Sequence, residues 1–262
     1  MYSRFTSIRC WVVVVVLTLS LFAGLPVLPT QELTLAPHIR AGPTSSYNWG
    51  GYAVTGSTGS VSDVKGSWIV QNVTCTLTNT YAAFWVGIDG YNSNTVEQTG
   101  TSSDCQNGSP TYYAWFEFYP KPAFVINSLT IHAGDIISAE VVYSGGKFTV
   151  HIEDITTRQS YTTSAKVNKA QRSSAEWIAE APWSGGVLPL ANFGTASYGL
   201  DYTSVGSTNY ATVNGVTGPI ASFASSVQQI TMVSRSGSVK AQPSSLSSDG
   251  TSFTMQWLSA GP

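Results

Sequence analysis

Charged side chains are scarce in this chain of 262 residues. Asp, Glu, Lys and Arg make up 10% of the sequence, with 12 basic and 14 acidic residues, whereas globular domains typically contain about 25%. The basic residues form no patch, which argues against a nucleic-acid partner. When carboxylates are protonated in acid, a chain with few basic residues has little positive charge to drive it apart. The composition therefore permits function at low pH.

Several catalytic signatures are absent from the sequence. It has no Gly-x-Ser-x-Gly motif, no Asp-Thr-Gly or Asp-Ser-Gly motif, and no His-Glu-x-x-His zinc motif. Its only histidines are His38, in a polar linker, and His132 and His151, in presumed strands. Serine, aspartic-dyad and metal-dependent hydrolysis therefore have little support, and we expect no metal or other cofactor.

The N-terminal region has the features of a secretory signal peptide. Arg4 and Arg9 precede an apolar run over residues 11–25, which Pro26 ends. A membrane anchor is the alternative, although the run is shorter than the ~20 apolar residues that a spanning helix needs. We expect residues 1–29 to be removed at a site that the sequence leaves open. The product is then secreted, with no stable membrane association.

The rest of the chain divides into a short polar segment and one domain. Residues 30–46 are predicted to form a linker or short prosegment, and residues 47–262 the domain. Because this segment is short, we expect secretion in a nearly mature form rather than activation by removal of a long prosegment. We also expect a monomer.

Cysteine usage agrees with export. Cys10 lies in the predicted signal peptide, which leaves Cys75 and Cys105 as an even pair in an oxidising compartment. We expect a disulfide between them, and two buried free thiols are the alternative.

The residue types of the domain predict an all-β protein. Short runs of Val, Ile, Thr, Tyr, Phe and Trp are separated by Gly, Ser and Asn. In residues 114–119 the alternation places Trp115, Glu117 and Tyr119 on one face of a strand. Residues 136–143 and 147–152 flank a Ser-Gly-Gly turn, which predicts a hairpin. Many short strands with regular turn signals favour a sandwich or a barrel.

Two further strands are predicted late in the chain, over residues 228–233 and 252–258. The best helix signal is Ser173-Ser174-Ala175-Glu176, which fits a capping box. Pro182 follows within two turns, so any helix there is very short.

Six segments, in order, resemble the eqolisins, the glutamic peptidase family. They are Asn48-Trp49-Gly50-Gly51-Tyr52, Ser67-Trp68-Ile69-Val70, Trp85-Val86-Gly87-Ile88-Asp89-Gly90, Gln98-Thr99-Gly100, Tyr113-Ala114-Trp115-Phe116-Glu117-Phe118-Tyr119-Pro120 and Ala175-Glu176-Trp177-Ile178. None of them is specific alone, since a segment such as Trp-Val-Gly-Ile fits any strand. Their common order and approximate spacing carry the resemblance.

The resemblance implies a fold, an activity and a set of site residues. It implies a one-domain sandwich of two antiparallel sheets, of the concanavalin A or lectin-like type, with an acid endopeptidase site on a concave sheet face. It implies that Gln98 and Glu176 are the catalytic pair and that polypeptides are the substrates. Trp115 and Glu117 match positions that line the family's site, and Asp89 matches a carboxylate close to it.

The chemistry of the catalytic pair suits acid. A carboxyl with a pKa near ~4.3 is a competent base at about pH 3–5, where a histidine is already protonated. The Gln98 amide offers an N–H donor that does not titrate, so it can stabilise an oxyanion at any acid pH. Glu176 then takes a proton from water and returns it to the leaving amine.

Less specific interpretations of these residues remain. Gln98 alone fits a solvent-facing strand position, and Glu176 fits the closing residue of the capping box. Glu97 and Glu180 are interpreted as surface charges. Glu117 lies among aromatic residues, where burial would raise its pKa and keep it neutral.

Two other functions are compatible with the sequence. The abundance of Trp and Tyr without a conventional triad fits a carbohydrate-binding sandwich without catalysis. A glycosidase that uses Glu117 and Glu176 is a third possibility, and it requires two carboxyl groups about 5–9.5 Å apart.

Overall fold

The computed structural model describes residues 34–261, and the predicted signal peptide lies outside them. Strands dominate the described residues. They are β1 (Arg40–Gly42), β2 (Ser45–Ser46), β3 (Trp49–Thr55), β4 (Val61–Ile69), β5 (Ala83–Ile88), β6 (Glu97–Gln106), β7 (Ser109–Phe118), β8 (Phe124–Val125), β9 (Ile136–Ser144), β10 (Lys147–Asp154), β11 (Gln159–Ala165), β12 (Ser174–Glu180), β13 (Thr195–Tyr198), β14 (Tyr210–Val213), β15 (Val216–Pro219), β16 (Val227–Val233), β17 (Val239–Pro243) and β18 (Phe253–Trp257). Within residues 34–261, helix is confined to α1 (Leu200–Thr203) and a 3-10 segment, Ile220–Ser226.

One layer of the molecule, called the site sheet below, is antiparallel throughout. Its strand order is β8-β7-β6-β5-β12-β3-β16. The central strand β12 pairs along its whole length with β3 and nearly as far with β5. The backbone of β12 is therefore hydrogen-bonded on both edges. The strand can be buried and still hold functional side chains in fixed positions.

The second sheet completes the sandwich. Strands β11-β10-β9-β4-β14-β15 form its main run, and β13, β18 and β17 continue it from β4. Strand β16 joins both layers, because its first half pairs with β3 and its second half with β17 and β2. The β16–β2 pairing is parallel, whereas the other pairings between the named strands of residues 34–261 are antiparallel. The predicted all-β sandwich is confirmed.

The core between the layers is built from alternate residues of both sheets. On β12, Ala175, Trp177 and Ala179 belong to this core, together with residues such as Trp68 and Phe148 from the second sheet. The alternation of the strand turns Glu176 and Glu180 to the opposite face of the site sheet. Both faces of β12 are buried.

The prediction of a short helix at the capping box, residues 173–176, is wrong. Ser174–Glu180 form β12, with Glu176 opposite Ala53 on one side and Gly87 on the other. Pairing on both edges overrides the local capping signal, because it satisfies every backbone group of the segment and buries both faces.

Other local predictions are confirmed. The hairpin forms between β9 and β10, and β16 and β18 match the two late strands. Cys75 and Cys105 form the predicted disulfide. Within residues 34–261, no helix is long and apolar enough to cross a bilayer.

Candidate active site

Gln98 and Glu176 lie in one row that crosses four strands of the site sheet. Glu176 on β12 pairs with Gly87 on β5, Gly87 pairs with Gln98 on β6, and Gln98 pairs with Glu117 on β7. Directly opposed residues project from the same face of a sheet. Adjacent strands are about 4.8 Å apart, so the Cα atoms of Gln98 and Glu176 are roughly 10 Å apart. Gly87 has no side chain, so no side chain of β5 stands between them in this row.

The Gln98 amide is buried and held in place. Its Nε2 atom donates to Oε2 of Glu117 at 2.7 Å and to the Leu35 carbonyl at 3.2 Å. The side chain has no exposed surface, so the interpretation of Gln98 as a solvent-facing residue is wrong. Its Oε1 atom has no hydrogen-bond partner among the described residues. The amide therefore presents one N–H to a carbonyl while Glu117 holds its orientation.

Glu117 is a neutral carboxyl in this environment. It is 1% exposed, and burial raises its pKa to about 8, against the opposing effect of hydrogen bonds from Gln98 and the Leu35 backbone. At acid pH the group therefore carries a proton, as its aromatic surroundings predict.

Glu176 is fully buried on the same face. Burial raises its pKa well above the ordinary value, the charges of Asp89 and Glu97 add to the shift, and the nearby Ser174 hydroxyl opposes it. Neither of its carboxyl oxygens has a hydrogen-bond partner at ordinary distance within residues 34–261. The raised pKa favours the protonated form in acid, and no donor within residues 34–261 holds either oxygen.

Asp89 anchors the loop that leads to Glu176 through backbone hydrogen bonds. Its carboxylate accepts the backbone N–H groups of Gln171 (2.7 Å), Arg172 (2.6 Å) and Ser173 (2.9 Å). The Asp89 N–H in turn donates to the Ser174 carbonyl at 3.0 Å. These bonds fix the loop that enters β12 two residues before Glu176.

Tryptophans form an apolar wall beside the row. Trp115 is 1% exposed and packs in a cluster with Trp49, Trp85 and Ile178 on this face of the site sheet. The rings of Trp49 and Trp85 meet edge-on, with centroids 4.9 Å apart. The Nε1 atom of Trp115 has no hydrogen-bond partner in the described part of the chain. Trp115 and Glu117 therefore lie on one face, as the alternation of β7 predicts.

The interpretation of Glu97 and Glu180 as surface charges is wrong, because both side chains are fully buried. Glu97 projects from β6 on the face opposite Gln98, where burial and then the charge of Asp89 raise its pKa to about 9. Glu180 lies on the site face, where burial raises its pKa well above the ordinary value. The spacing of Glu176 and Glu180, four residues apart on one strand, is the sequence signal that places them on the same face.

Glu180 accepts hydrogen bonds from one donor on β5 and from one just before β3. Its Oε2 atom accepts from Trp85 Nε1 at 3.0 Å, and its Oε1 atom accepts from Asn48 Nδ2 at 3.3 Å. The group thereby extends the polar row towards Asn48, which precedes β3.

A stretch of the predicted linker, Thr34–His38, lies across this face and is called the covering segment below. Nearly every residue of this segment makes a hydrogen bond through its backbone. Thr34 exchanges both backbone bonds with Trp183, Leu35 accepts from Gln98, and Ala36 accepts from Trp49 Nε1 and Asn48 Nδ2. Leu35 is 3% exposed and belongs to the tryptophan cluster. The covering segment thus seals the candidate site from solvent.

No group of three or more His, Cys, Asp or Glu side chains within residues 34–261 has the arrangement of a metal site. The polar atoms that converge on the row are carboxyl oxygens, an amide and an indole N–H. Such a set supports proton transfer and stabilisation of a developing oxyanion.

Comparison with known proteins identifies relatives of this chain. The chain matches Aspergillopepsin-2 of Aspergillus niger with 36% identity over 134 residues, 48% of this chain and 48% of that protein. The chain thus spans about half the length of the curated relatives it matches. The fold is similar to that of scytalido-glutamic peptidase solved with a transition state analog inhibitor, with a TM-score of 0.66, 23% identity, and 81% of this chain and 98% of that one covered.

A second solved structure, aspergilloglutamic peptidase from Aspergillus niger, has a TM-score of 0.57 and 30% identity, and the match covers 68% of this chain and 99% of that one. In architecture, the molecule is therefore a glutamic-peptidase sandwich. Residues 47–244 match the model of the Peptidase A4 family. The chain belongs to that family, the eqolisins.

Proposed function

We propose that this chain is a secreted acid endopeptidase that hydrolyses peptide bonds with Glu176 and Gln98. The observation that carries the proposal is the row across the site sheet, in which Gly87 alone separates the two side chains. Membership of a peptidase family favours this function over carbohydrate binding. The monomeric state, secretion and polypeptide substrates belong to the same proposal.

In the proposed reaction Glu176 handles the proton. Ionised Glu176 takes a proton from a water molecule as the water attacks the carbonyl carbon of the peptide bond. The same carboxyl then delivers that proton to the leaving nitrogen as the C–N bond breaks. A carboxyl suits both steps in acid, because its two protonation states are both accessible there once the group is solvated.

Gln98 stabilises the negative charge that develops on the carbonyl oxygen. In the structure its Nε2 atom already donates to a peptide carbonyl, that of Leu35, at 3.2 Å. Loss of one oxyanion donor typically costs about 2.7–4 kcal/mol of transition-state stabilisation. Glu117 is a positioning residue in this scheme, because its Oε2 atom receives the other N–H of the amide at 2.7 Å.

The glycosidase alternative is less well supported. Gln98 stands in the row between Glu117 and Glu176, so the two carboxyls are on opposite sides of an amide. The proposed peptidase scheme uses that amide directly, whereas a two-carboxylate glycosidase has no use for it.

The test uses purified protein and an unfolded protein substrate at about pH 2–5, the range in which carboxyl chemistry operates. Glu176→Gln should abolish cleavage, and Gln98→Ala should lower kcat/KM by about 100-fold or more. Circular dichroism and thermal unfolding establish that each variant is folded. Full activity in a folded Glu176→Gln protein would sink the mechanism. Pepstatin, which targets aspartic dyads, should not inhibit the enzyme.

A further inference from the structure

A pocket of about 710 Å³, called the lysine pocket below, lies beside the loop that follows β12. Aromatic and aliphatic side chains form most of its wall, namely Ile39, Tyr47, Trp183, Val187 and Val233. Two cations, Arg235 and Lys240, complete the lining, and no aspartate or glutamate of residues 34–261 lines it. An apolar wall with a few polar groups is typical of pockets that bind small organic ligands.

Lys240 is the buried cation of this pocket. Its neighbour on β17, Ala241, belongs to the core between the layers, so the alternation of the strand turns Lys240 to the opposite face. A Cβ atom on Gly261 would lie 2.9 Å from Lys240 Cε, so the chain at Gly261 covers the stem of the lysine. The residue is 1% exposed, and lysine rarely reaches such burial unless its charge is paired.

The Lys240 ammonium group has no counter-ion in the described part of the chain. The ion pairs found there join Lys65 to Glu140 and His132 to Asp135. Burial lowers the pKa of Lys240 to about 8, so the amine still carries its proton in mildly acidic solution. A buried charge without a partner is costly, and an anion that enters the pocket removes that cost.

We propose that the lysine pocket binds a small organic monocarboxylate with an aromatic or aliphatic body. The carboxylate pairs with the Lys240 ammonium group, and the body lies against the apolar wall that includes Trp183. One buried positive charge requires one negative charge, since Arg235 is exposed and its charge is solvated. A phosphate monoester carries about 1.5 to 2 negative charges near neutral pH and three acceptor oxygens, so it fits this single buried donor less well.

The lysine pocket is separate from the row that carries Gln98 and Glu176. The four-residue step along β12 from Glu176 to Glu180 spans about 13 Å, and the pocket borders the loop beyond the end of that strand. None of the residues that line the pocket belongs to the row. The inference therefore goes beyond the proposed function, and either of the two can fail without the other.

The experiment measures the binding of 4-phenylbutyrate to the purified full chain by isothermal titration calorimetry. At about pH 6 the carboxylic acid is ionised and Lys240 is protonated. We expect one site per molecule with a Kd of about 1 mM or lower. The uncharged 4-phenylbutanamide and the phosphate 4-phenylbutyl phosphate should each bind more weakly, the amide by about tenfold or more.

Two variants separate the charge of the pocket from its apolar wall. Lys240→Met keeps an unbranched side chain and removes the charge, so it should lower the affinity for 4-phenylbutyrate by about tenfold or more and leave that for the amide within about twofold. Trp183→Ala should weaken the binding of both probes, because it removes apolar surface from the wall. Lys147→Met, at an exposed lysine of β10, is the matched control and should alter neither affinity.

Several outcomes would overturn the inference. One is the absence of both binding heat and a rise in unfolding temperature at about 10 mM 4-phenylbutyrate. Another is equal affinity of the wild-type protein for the acid and the amide, a comparison that needs no variant. Undiminished binding of the acid to folded Lys240→Met would place the ligand elsewhere, and tighter binding of the phosphate would assign the pocket to another class of anion. None of these results bears on peptide cleavage, which the Glu176→Gln test decides.

Discussion

Gln98 and Glu176 are separated by the one residue of their row that lacks a side chain. A Cβ atom on Gly87 would lie 3.1 Å from Cβ of Gln98 and 2.9 Å from the Trp85 ring. Both distances are shorter than ordinary van der Waals contact, so a methyl group there displaces the amide from its place beside Glu117.

We therefore expect Gly87→Ala to lower kcat/KM by about 10- to 100-fold, because small displacements of positioned groups have effects of that size. Peptidase assays at acid pH measure the loss, and thermal unfolding measures how much stability changes. Gly206→Ala is the matched control, since a Cβ there meets no atom within 4 Å. Unchanged activity in Gly87→Ala would mean that catalysis does not depend on the absence of a side chain at position 87.

Glu97 provides a test of the buried carboxyls. Its pKa is raised to about 9 in the folded protein by burial and the charge of Asp89. In the unfolded chain the group ionises above about pH 4.5, so the folded state retains a proton that the unfolded state releases. Stability is therefore lost as pH rises from about 4.5 towards 9.

The Glu97→Gln variant removes this dependence. We expect wild-type protein to lose about 3 kcal/mol more stability than Glu97→Gln between about pH 4.5 and pH 7. Urea unfolding at several pH values measures the difference in unfolding free energy. Glu153→Gln, on the hairpin strand β10 and only partly buried, is the control. Parallel stability profiles for wild type and Glu97→Gln would contradict the expectation.

Asp89 should contribute more to stability than an exposed aspartate such as Asp201. Its carboxylate accepts three backbone N–H groups from residues 171–173, and the amide of Asn can replace only part of that set. Hydrogen bonds to charged groups contribute about 1.5–3 kcal/mol each, so we expect Asp89→Asn to destabilise the protein by about 2–4 kcal/mol. Urea unfolding measures the change. Asp201→Asn, on the exposed side of α1, should alter stability by less than about 0.5 kcal/mol.

The disulfide should stabilise the protein by restricting the conformations of the unfolded chain. Cys75 and Cys105 close a loop with a sequence separation of 30 residues, which corresponds to about 3.5 kcal/mol in the chain-entropy model. The double variant Cys75→Ala, Cys105→Ala should lose about that amount in urea unfolding. Leu77→Ser, at a residue that is 90% exposed within the same loop, is the control. A double variant as stable as wild type would show that the disulfide does not restrict the conformations of the unfolded chain.

Local patterns predict much of this fold because strand alternation has a short period. The faces of β7, the hairpin of β9 and β10, and the late strands β16 and β18 all follow from residues within a few positions of one another. The placement of Trp115 and Glu117 on one face is of the same kind. The cysteine pairing follows from an even count and the expected compartment.

Features that depend on distant partners are not predictable in this way. Ser173–Glu176 fit a helix cap, but two neighbouring strands make the segment β12. Glutamate is usually a surface residue, so the sequence favours exposure of Glu97 and Glu180. Only the packing of the assembled sandwich buries them. The position of the covering segment has no sequence signal either, because backbone bonds hold it and any extended chain can make them.

Strand β16 is hydrogen-bonded in both layers of the sandwich. Val227–Ile230 pair with β3 of the site sheet, and Thr231–Val233 pair with β2 and β17. Neither layer can slide over the other or peel away without breaking a continuous stretch of backbone. The site sheet is therefore joined covalently and by backbone hydrogen bonds to the sheet behind it. Because one strand belongs to both layers, distortion of one layer is transmitted to the other. The molecule should therefore unfold in one cooperative transition.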